Sequence, residues 1–486
     1  MALKYIDLFS GCGGLSLGLE QAGFELVLAV EKSDMAAETF YHNFIKRLHG
    51  EDEWQSYCSK PIEDQAVSKL VVNELRAVLD SDQIMTDLVS QEVDLVAGGP
   101  PCQGFSMAGR RNPDDIRNQL PWQFLEMVER VSPKAVIMEN VVGMSRRFEK
   151  HGKDSPFEQI QQILRETGKG YIVQPVLLNA MHFGVPQHRP RIMILALRAD
   201  IAKQQNMQDS TSVWKSDFDD PALDTIMKKP ELAPEGTHFG DNILTVRDAL
   251  WDIRSKGYWL NNTNENYQIP ENSYADHMRN DVSWMPTKIA QVNRKNALTN
   301  HNLRNHASHI QQRFRIYQIL QRYDVPAKVM GIPVDIELSE EQKHSLLDVK
   351  LSSVSFPCKA PDGKLVARSL KGLKKHIFDL HTKKHSQRPL RDNQPSPTVL
   401  SLPDDFVHPY EARTLTVREM ARFQSFPDTF EFRAKETTGG LKRRTEVPQY
   451  TQVGNAVPPK MAHSVGIKIS QILTRFKLHY KQSHHI

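Results

Sequence analysis

Apolar positions are unevenly spread along the chain, and their spacing separates an ordered front, a polar middle and a short ordered end. Residues 4–9 form an apolar run that predicts a first strand, running straight into Ser10-Gly11-Cys12-Gly13-Gly14. Leu15, Leu17 and Leu19 follow, with Gly23 placed as a helix stop, so the glycines make a strand-to-helix turn. Residues 25–30 predict the next strand, which ends in Glu31, and Ile62-Glu63-Asp64 reads as the end of a third. Residues 93–97 predict a buried strand stopped by Gly98-Gly99-Pro100-Pro101, with Cys102 just beyond. Residues 107–118 are polar, carry Gly109-Arg110-Arg111, and read as a mobile loop; 120–131 have helical periodicity. Another buried strand, 134–138, ends in Glu139-Asn140-Val141, and strands at 171–178 and 191–197 flank Gln187-His188-Arg189-Pro190-Arg191. Strands alternating with helices predict an α/β protein.

From about 200 to 392 the alternation is lost and the chain is rich in Asn, Asp, Gln and Lys. Order returns at Arg413-Thr414-Leu415-Thr416-Val417-Arg418-Glu419, where Thr416 and Glu419 have the spacing of a helix capping box. Gln452-Val453-Gly454-Asn455 follows. A last helix is expected from Pro459, with Met461, Val465, Ile469 and Leu473 on one face.

Composition changes this picture little. With 486 residues, 39% hydrophobic and 25% charged, the chain has the make-up of an ordinary globular protein. No apolar run approaches a membrane span of about 20 residues, and no signal-peptide pattern opens the chain, so a cytoplasmic protein is expected. The four cysteines, Cys12, Cys58, Cys102 and Cys358, form no C-x-x-C pair, which argues against a zinc site or a disulfide framework. A net charge of only +4 means that nucleic-acid affinity must come from local patches. One such run lies between 371 and 391, where seven Lys/Arg face the single acid Asp379. A solvated face and a nucleic-acid backbone contact both fit it.

The candidate chemistry clusters at strand ends. Glycine lets the backbone of 10–14 approach a ligand closely, the following helix N-terminus favours a negative group, and Glu31 stands where an acid commonly meets ribose hydroxyls. These three features describe a nucleoside-cofactor half-site. Cys102 follows a turn stiffened by proline, at the strand end where open α/β sheets place ligands. Taken alone it could be a small buried hydrophobe; with the rest it reads as a nucleophile. Glu139 ends a strand on the same rim if the strands are parallel. Arg189 and Arg191, two residues apart in an extended segment, share a face, so both guanidiniums are expected to reach one target.

Six pieces of this sequence, in order, resemble the DNA (cytosine-5) methyltransferases of the prokaryotic type. They are Asp7-Leu8-Phe9-Ser10-Gly11-Cys12-Gly13-Gly14, Gly99-Pro100-Pro101-Cys102-Gln103-Gly104-Phe105-Ser106, Glu139-Asn140-Val141, Gln187-His188-Arg189-Pro190-Arg191, the stretch 413–428 and Gln452-Val453-Gly454-Asn455. The resemblance implies a Rossmann-like S-adenosylmethionine-dependent methyltransferase domain and a smaller, irregular target-recognition domain. The implied division is 1–199 catalytic, 200–392 target recognition, 393–444 hinge and recognition support, and 445–486 the catalytic domain's completion. It implies that the Cys102 thiolate adds to carbon 6 of a flipped-out cytosine, so that carbon 5 can attack the methyl of S-adenosylmethionine. By the same resemblance Glu139 contacts ring N3 and the exocyclic amine, while Arg189 and Arg191 hold the base and the active-site loop. Phe9, Ser10, Gly11, Cys12, Gly13, Gly14, Glu31, Ile62, Pro101, Asn455 and Val457 would form the cofactor pocket, and no metal is expected. The acid that often precedes the Ile62 position is replaced by Pro61. Double-stranded DNA is the implied partner of a monomeric, nucleoid-associated enzyme. The resemblance also implies a separately acting restriction endonuclease as its companion in a restriction–modification or related defence system. A transfer-RNA methyltransferase is the nearest competing reading, but its Cys-Phe-Thr signature is absent; a cysteine hydrolase would leave the flanking motifs without purpose.

Overall fold

The structure is a computed structural model that describes residues 2–101, 119–145, 155–223, 227–254, 270–281, 284, 298–382 and 387–483. Its centre is an eight-stranded sheet: β1 (Leu3–Leu8), β2 (Phe24–Val30), β3 (Leu70–Val71), β4 (Leu95–Gly98), β5 (Ala135–Asn140), β6 (Tyr171–Asn179), β7 (Pro190–Arg198) and β8 (Trp214–Lys215). Across the sheet the order is β3-β2-β1-β4-β5-β7-β6-β8. Strands β1 to β5 pair in parallel, and β7 runs antiparallel between β5 and β6. The chain winds outward from β1 to β3 and returns to lay β4 beside β1, so the order reverses between these two. In open α/β sheets the crevice at such a reversal, outside the strands' carboxyl ends, is where ligands bind.

The central strands are apolar on both sides because both faces are covered. On one face Tyr5, Ala29, Leu95 and Ile137 pack with Leu15, Leu17 and Leu19 of α1 (Gly14–Gln21). The other face joins Ile6, Leu28, Val96 and Val136 to one side of α3 (Leu120–Val131), which follows α2 (Ile62–Val67) in chain order. This is the expected three-layer, Rossmann-like α/β arrangement.

One predicted element is displaced. Ile62-Glu63-Asp64 does not end a strand: it opens α2, with Pro61 as the N-cap residue and Glu63 and Asp64 in the first turn. Carboxylates are favoured at a helix N-terminus, and proline is tolerated where no amide donor is needed. The third strand is instead the two-residue β3, paired with Ala29 and Val30.

The polar middle is more ordered than its composition suggests. Its first part belongs to the main body: β8 pairs with β6, and Trp214, Leu232, Val246, Leu250, Tyr274 and Met278 all join the first core. A separate core then forms between α4 (Ser308–Arg322) and α5 (Leu370–Asp379), around Phe314, Tyr317, Leu320, Leu347, Leu373 and Ile377. The returning chain forms α6 (Val417–Phe423), α7 (Gln449–Asn455) and α8 (Pro459–Ser483). The capping box at α6 is present: Glu419 N–H donates to Thr416 Oγ1 at 3.2 Å and Thr416 N–H to Glu419 Oε2 at 2.8 Å. Buried Arg422 ties α6 to Asp252 and Asp428, each at 2.6 Å. Met461, Val465, Ile469 and Leu473 of α8 are buried in the first core, and a side chain on Gly18 would strike Ala462 and the Pro459 carbonyl, so glycine there lets α1 and α8 touch. Among the described residues no helix is long and apolar enough to cross a membrane.

Candidate active site

At the carboxyl end of β1 the chain passes through Phe9 and Gly11, both with positive φ (61° and 56°), before Gly13 at φ 97° starts α1. Such backbone favours glycine, so the strain at Phe9 is local and real. A side chain on Gly11 would meet nothing within 4 Å, whereas one on Gly13 would collide with Phe44 and one on Gly14 with the Val457 carbonyl. Gly11 therefore borders open space, and Gly13 and Gly14 are packing glycines. Glu31 is tied to this loop: Gly11 N–H donates to Oε2 at 2.9 Å and Ser33 N–H to Oε1 at 2.7 Å. Burial raises its pKa, and the Ser33 and Gly11 amides pull it back.

Four neighbouring residues flank this loop. Ser10 is buried, and its hydroxyl has no partner among the described residues. Phe9 and Ile62 pack on the same core cluster, although Ile62 arrives from a helix. Cys12 is buried with its thiol directed at the Gln452 carbonyl, 3.7 Å away, and burial pushes its pKa up to about 12. That thiol is a packing group beneath the C-terminal segment. The open side of Gly11, the unpaired Ser10 hydroxyl and the remaining lone pairs of Glu31 suit the hydroxyl-rich nucleoside end of S-adenosylmethionine.

The second half-site lies across the reversal point. Gly98 abuts Leu8, and the Pro100 carbonyl accepts a hydrogen bond from Asn140 Nδ2 at 2.9 Å, which fixes the approach to exposed Pro101. Cys102 lies outside the described residues, as do Arg110 and Arg111 of the polar loop. Glu139 is within β5, one residue before its end. Arg191 Nε meets Glu139 Oε1 at 2.9 Å, with both side chains 12% exposed. Oε2 faces the other way: a side chain on Gly99 would come within 3.0 Å of it. Burial raises the Glu139 pKa, and Arg191 and Arg189 oppose that; burial lowers Arg191, and Glu139 opposes that.

The arginines do not share a target. Arg191 pairs with Glu139, but Arg189 is 1% exposed and points into the C-terminal segment. Its Nη2 donates to the carbonyls of Gly454 (2.8 Å) and Ala456 (3.0 Å), and its Nη1 to that of Val399 (3.4 Å). The i, i+2 spacing does not give the two a shared partner: Arg189 precedes β7, which begins at Pro190, and the carbonyls of the C-terminal segment capture its guanidinium. From sequence, Gln187 has no role of its own within the motif at 187–191. It accepts from Val399 N–H at 2.8 Å and donates to the Phe423 carbonyl at 2.9 Å and to Gln424 Oε1 at 3.0 Å. Its place two residues before Arg189 was the available signal. Thr398 adds a bond from Oγ1 to the His188 carbonyl at 2.9 Å. Asn455 ends α7 with an exposed side chain, and Val457 is buried beneath the glycine loop.

The basic run is partly neutralised. Lys374 pairs with Asp348 at 2.7 Å and Arg391 with Asp324 at 2.6 Å, whereas Lys371 and Lys375 are exposed; Lys383 and Lys384 lie outside the described residues.

Comparison with known proteins agrees with the sheet. The model of the C-5 cytosine-specific DNA methylase family matches residues 3–471. The type II methyltransferase M.DdeI of Desulfomicrobium norvegicum is 28% identical over 96% of this chain and 88% of its own. M.AgeI of Thalassovita gelatinovora, another type II methyltransferase, is 29% identical over 96% of this chain and 100% of its own. A prophage-encoded E. coli protein, assigned as a DNA modification methyltransferase, shares the fold. Its crystal structure has a TM-score of 0.57 and 22% identity over 97% of this chain and 100% of that one. A family match along nearly the whole length settles the assignment: the chain belongs to the C-5 cytosine-specific DNA methylases, enzymes that methylate carbon 5 of cytosine in DNA from S-adenosylmethionine.

Proposed function

We propose that this enzyme works by covalent catalysis with Cys102 as nucleophile, Glu139 as the group that holds a proton at ring N3, and Arg191 as the cation that fixes Glu139. The reading is supported chiefly by the two faces of Glu139. Arg191 occupies Oε1, while Oε2 faces Gly99, three residues before Cys102. A base placed against Oε2, past the turn at 98–101, would present its N3 edge to the carboxyl group. The thiolate adds to carbon 6, forming a C–S bond, and the displaced electron pair is accommodated as N3 takes the Glu139 proton. S-adenosylmethionine, when bound, would supply the electrophilic methyl group that carbon 5 attacks, its S–CH3 bond breaking as S-adenosylhomocysteine leaves. Loss of the carbon 5 proton to a base then drives elimination of Cys102 and restores the ring, with Glu139 recovering its proton. Glu31, Ser10 and the Phe9–Gly11 backbone bind the nucleoside part of the donor, and Asn455 and Val457 close the pocket from the C-terminal side.

Target reading falls within 200–392, in the part with its own core around α4 and α5; segment 393–444 carries the chain back to the catalytic body. The type II names of the relatives support a role as the modification half of a restriction–modification pair. In that role the enzyme acts as a monomer in the prokaryotic cytoplasm, with the endonuclease as a separate chain. The decisive experiment offers Cys102→Ser and the natural enzyme duplex DNA containing 5-fluorocytosine. The natural enzyme should form a covalent complex and Cys102→Ser should not, while still binding S-adenosylhomocysteine. A covalent complex with Cys102→Ser would refute the assignment. Bisulfite sequencing of DNA from expressing cells would give the target.

A further inference from the structure

The parting of the two arginines has a functional meaning, because the groups that Arg189 holds are the last carbonyls of a helix. Helix α7 ends at Asn455, and the final carbonyls of any helix lack partners within it. Here they are buried and are met by two side chains. Arg189 Nη2 takes those of Gly454 and Ala456, and Gln424 Nε2 takes that of Val453 at 2.7 Å, with Ala456 at 3.5 Å. A cation at the negative end of a helix is favourable in its own right. The two carbonyls on Arg189 Nη2 bracket Asn455, so the backbone of that residue is gripped on either side while its side chain stays exposed. Arg189 Nη1 joins the same grip to Val399, and Gln187 binds Val399 N–H and Gln424 in turn.

We propose that Arg189 is a positioning residue for the cofactor side of the reaction: it sets the Gly454–Asn455–Ala456 turn and thereby the closure over S-adenosylmethionine, leaving the base to Arg191 and Glu139. The inference rests on the assignment of Asn455 and Val457 to the cofactor pocket. Lysine is a poor substitute, because one ammonium on a flexible stem replaces a planar fork that meets three carbonyls from two chain segments at once.

The test compares Arg189→Lys, Arg191→Lys and Asn455→Ala by calorimetric titration with S-adenosylhomocysteine, without DNA, and by steady-state methylation. Arg189→Lys should weaken S-adenosylhomocysteine binding and raise the KM for S-adenosylmethionine by about tenfold, as loss of charged hydrogen bonds implies. Its kcat at saturating donor should stay within about threefold, since differential rather than uniform binding sets kcat. Arg191→Lys should do the reverse, lowering kcat with donor affinity unchanged. Adding Asn455→Ala to Arg189→Lys should weaken binding less than the two single effects combined, because one acts through the other. Gln424→Met, which removes the second clamp at similar volume, should raise the same KM by a smaller factor and serves if Arg189→Lys does not fold. Unchanged donor affinity in Arg189→Lys, or in Gln424→Met where that variant serves, would overturn the proposal. If Asn455→Ala alone leaves affinity unchanged, the cofactor assignment of that turn is what fails.

Discussion

Replacing Glu139 by glutamine isolates what its proton contributes. The side chain is 12% exposed and holds Arg191 at 2.9 Å, and glutamine keeps both the shape and an oxygen for that contact. Breaking a buried ion pair outright costs about 3–5 kcal/mol, but here a neutral acceptor remains, so the loss of stability should fall below that range. The catalytic loss should be larger. A positioned proton donor contributes about 10²–10⁴ in rate, equivalent to roughly 3–5 kcal/mol of barrier. Single-turnover methylation of a duplex by Glu139→Gln, at saturating S-adenosylmethionine, should therefore be slower by about two to four orders of magnitude. Burial raises the Glu139 pKa, so its protonated form persists further toward neutral pH than an ordinary carboxyl and is lost as pH rises. The natural enzyme should show a limb that falls as pH rises, and Glu139→Gln should lack it. Turnover within about threefold of the natural enzyme, with the falling limb intact, would remove Glu139 from the chemistry.

Three further substitutions test the loop after β1 and the ground beneath it. Asp7 is fully buried in β1; Ser16 Oγ donates to its Oδ2 at 2.6 Å, its Oδ1 has no partner among the described residues, and burial raises its pKa from 3.8 to about 7. A folded value above the unfolded one stabilises the protein below the unfolded pKa, and that stability is lost as pH rises through the folded pKa. The natural protein should therefore lose ~3 kcal/mol relative to Asp7→Asn between pH 5 and pH 8, read as a change in the difference between their urea midpoints. A difference that does not vary with pH would show that Asp7 is ionised in the fold. Gly11→Ala and Gly14→Ala should separate ligand clash from packing clash. The first places a methyl in open space at φ 56° and should lose S-adenosylhomocysteine affinity for a folding cost of about 1–2 kcal/mol; the second collides with Val457 and should lower the melting temperature more. Equal affinity of Gly11→Ala and the natural enzyme would remove the ligand from that side of the loop.

What the sequence made legible was what local physics decides. The β1–α1–β2 unit, the helix at Leu120–Val131 and the helix from Pro459 depend on their own periodicity, glycines and caps, and all stand where their patterns put them. The third strand is not legible in the sequence because β3 is only two residues long and is a strand solely through the edge that Ala29 and Val30 offer it. The polar middle hid its core for a related reason. Within α4, Arg315 and Gln318 interrupt the apolar pattern, yet both are buried. Arg315 pairs with Asp362 at 2.8 Å, and Gln318 donates to the His408 carbonyl at 2.9 Å. A buried polar side chain counts as surface in any reading by periodicity until its partner is known. The arginine pair is the clearest instance. Residue type and spacing located Arg189 and Arg191 on one segment, but the carbonyls that capture Arg189 lie 265 and 267 residues further along the chain. A guanidinium takes whichever acceptors the folded chain brings within reach. The division of labour between two arginines two residues apart is therefore set by the last turn of a helix that the chain forms near its end.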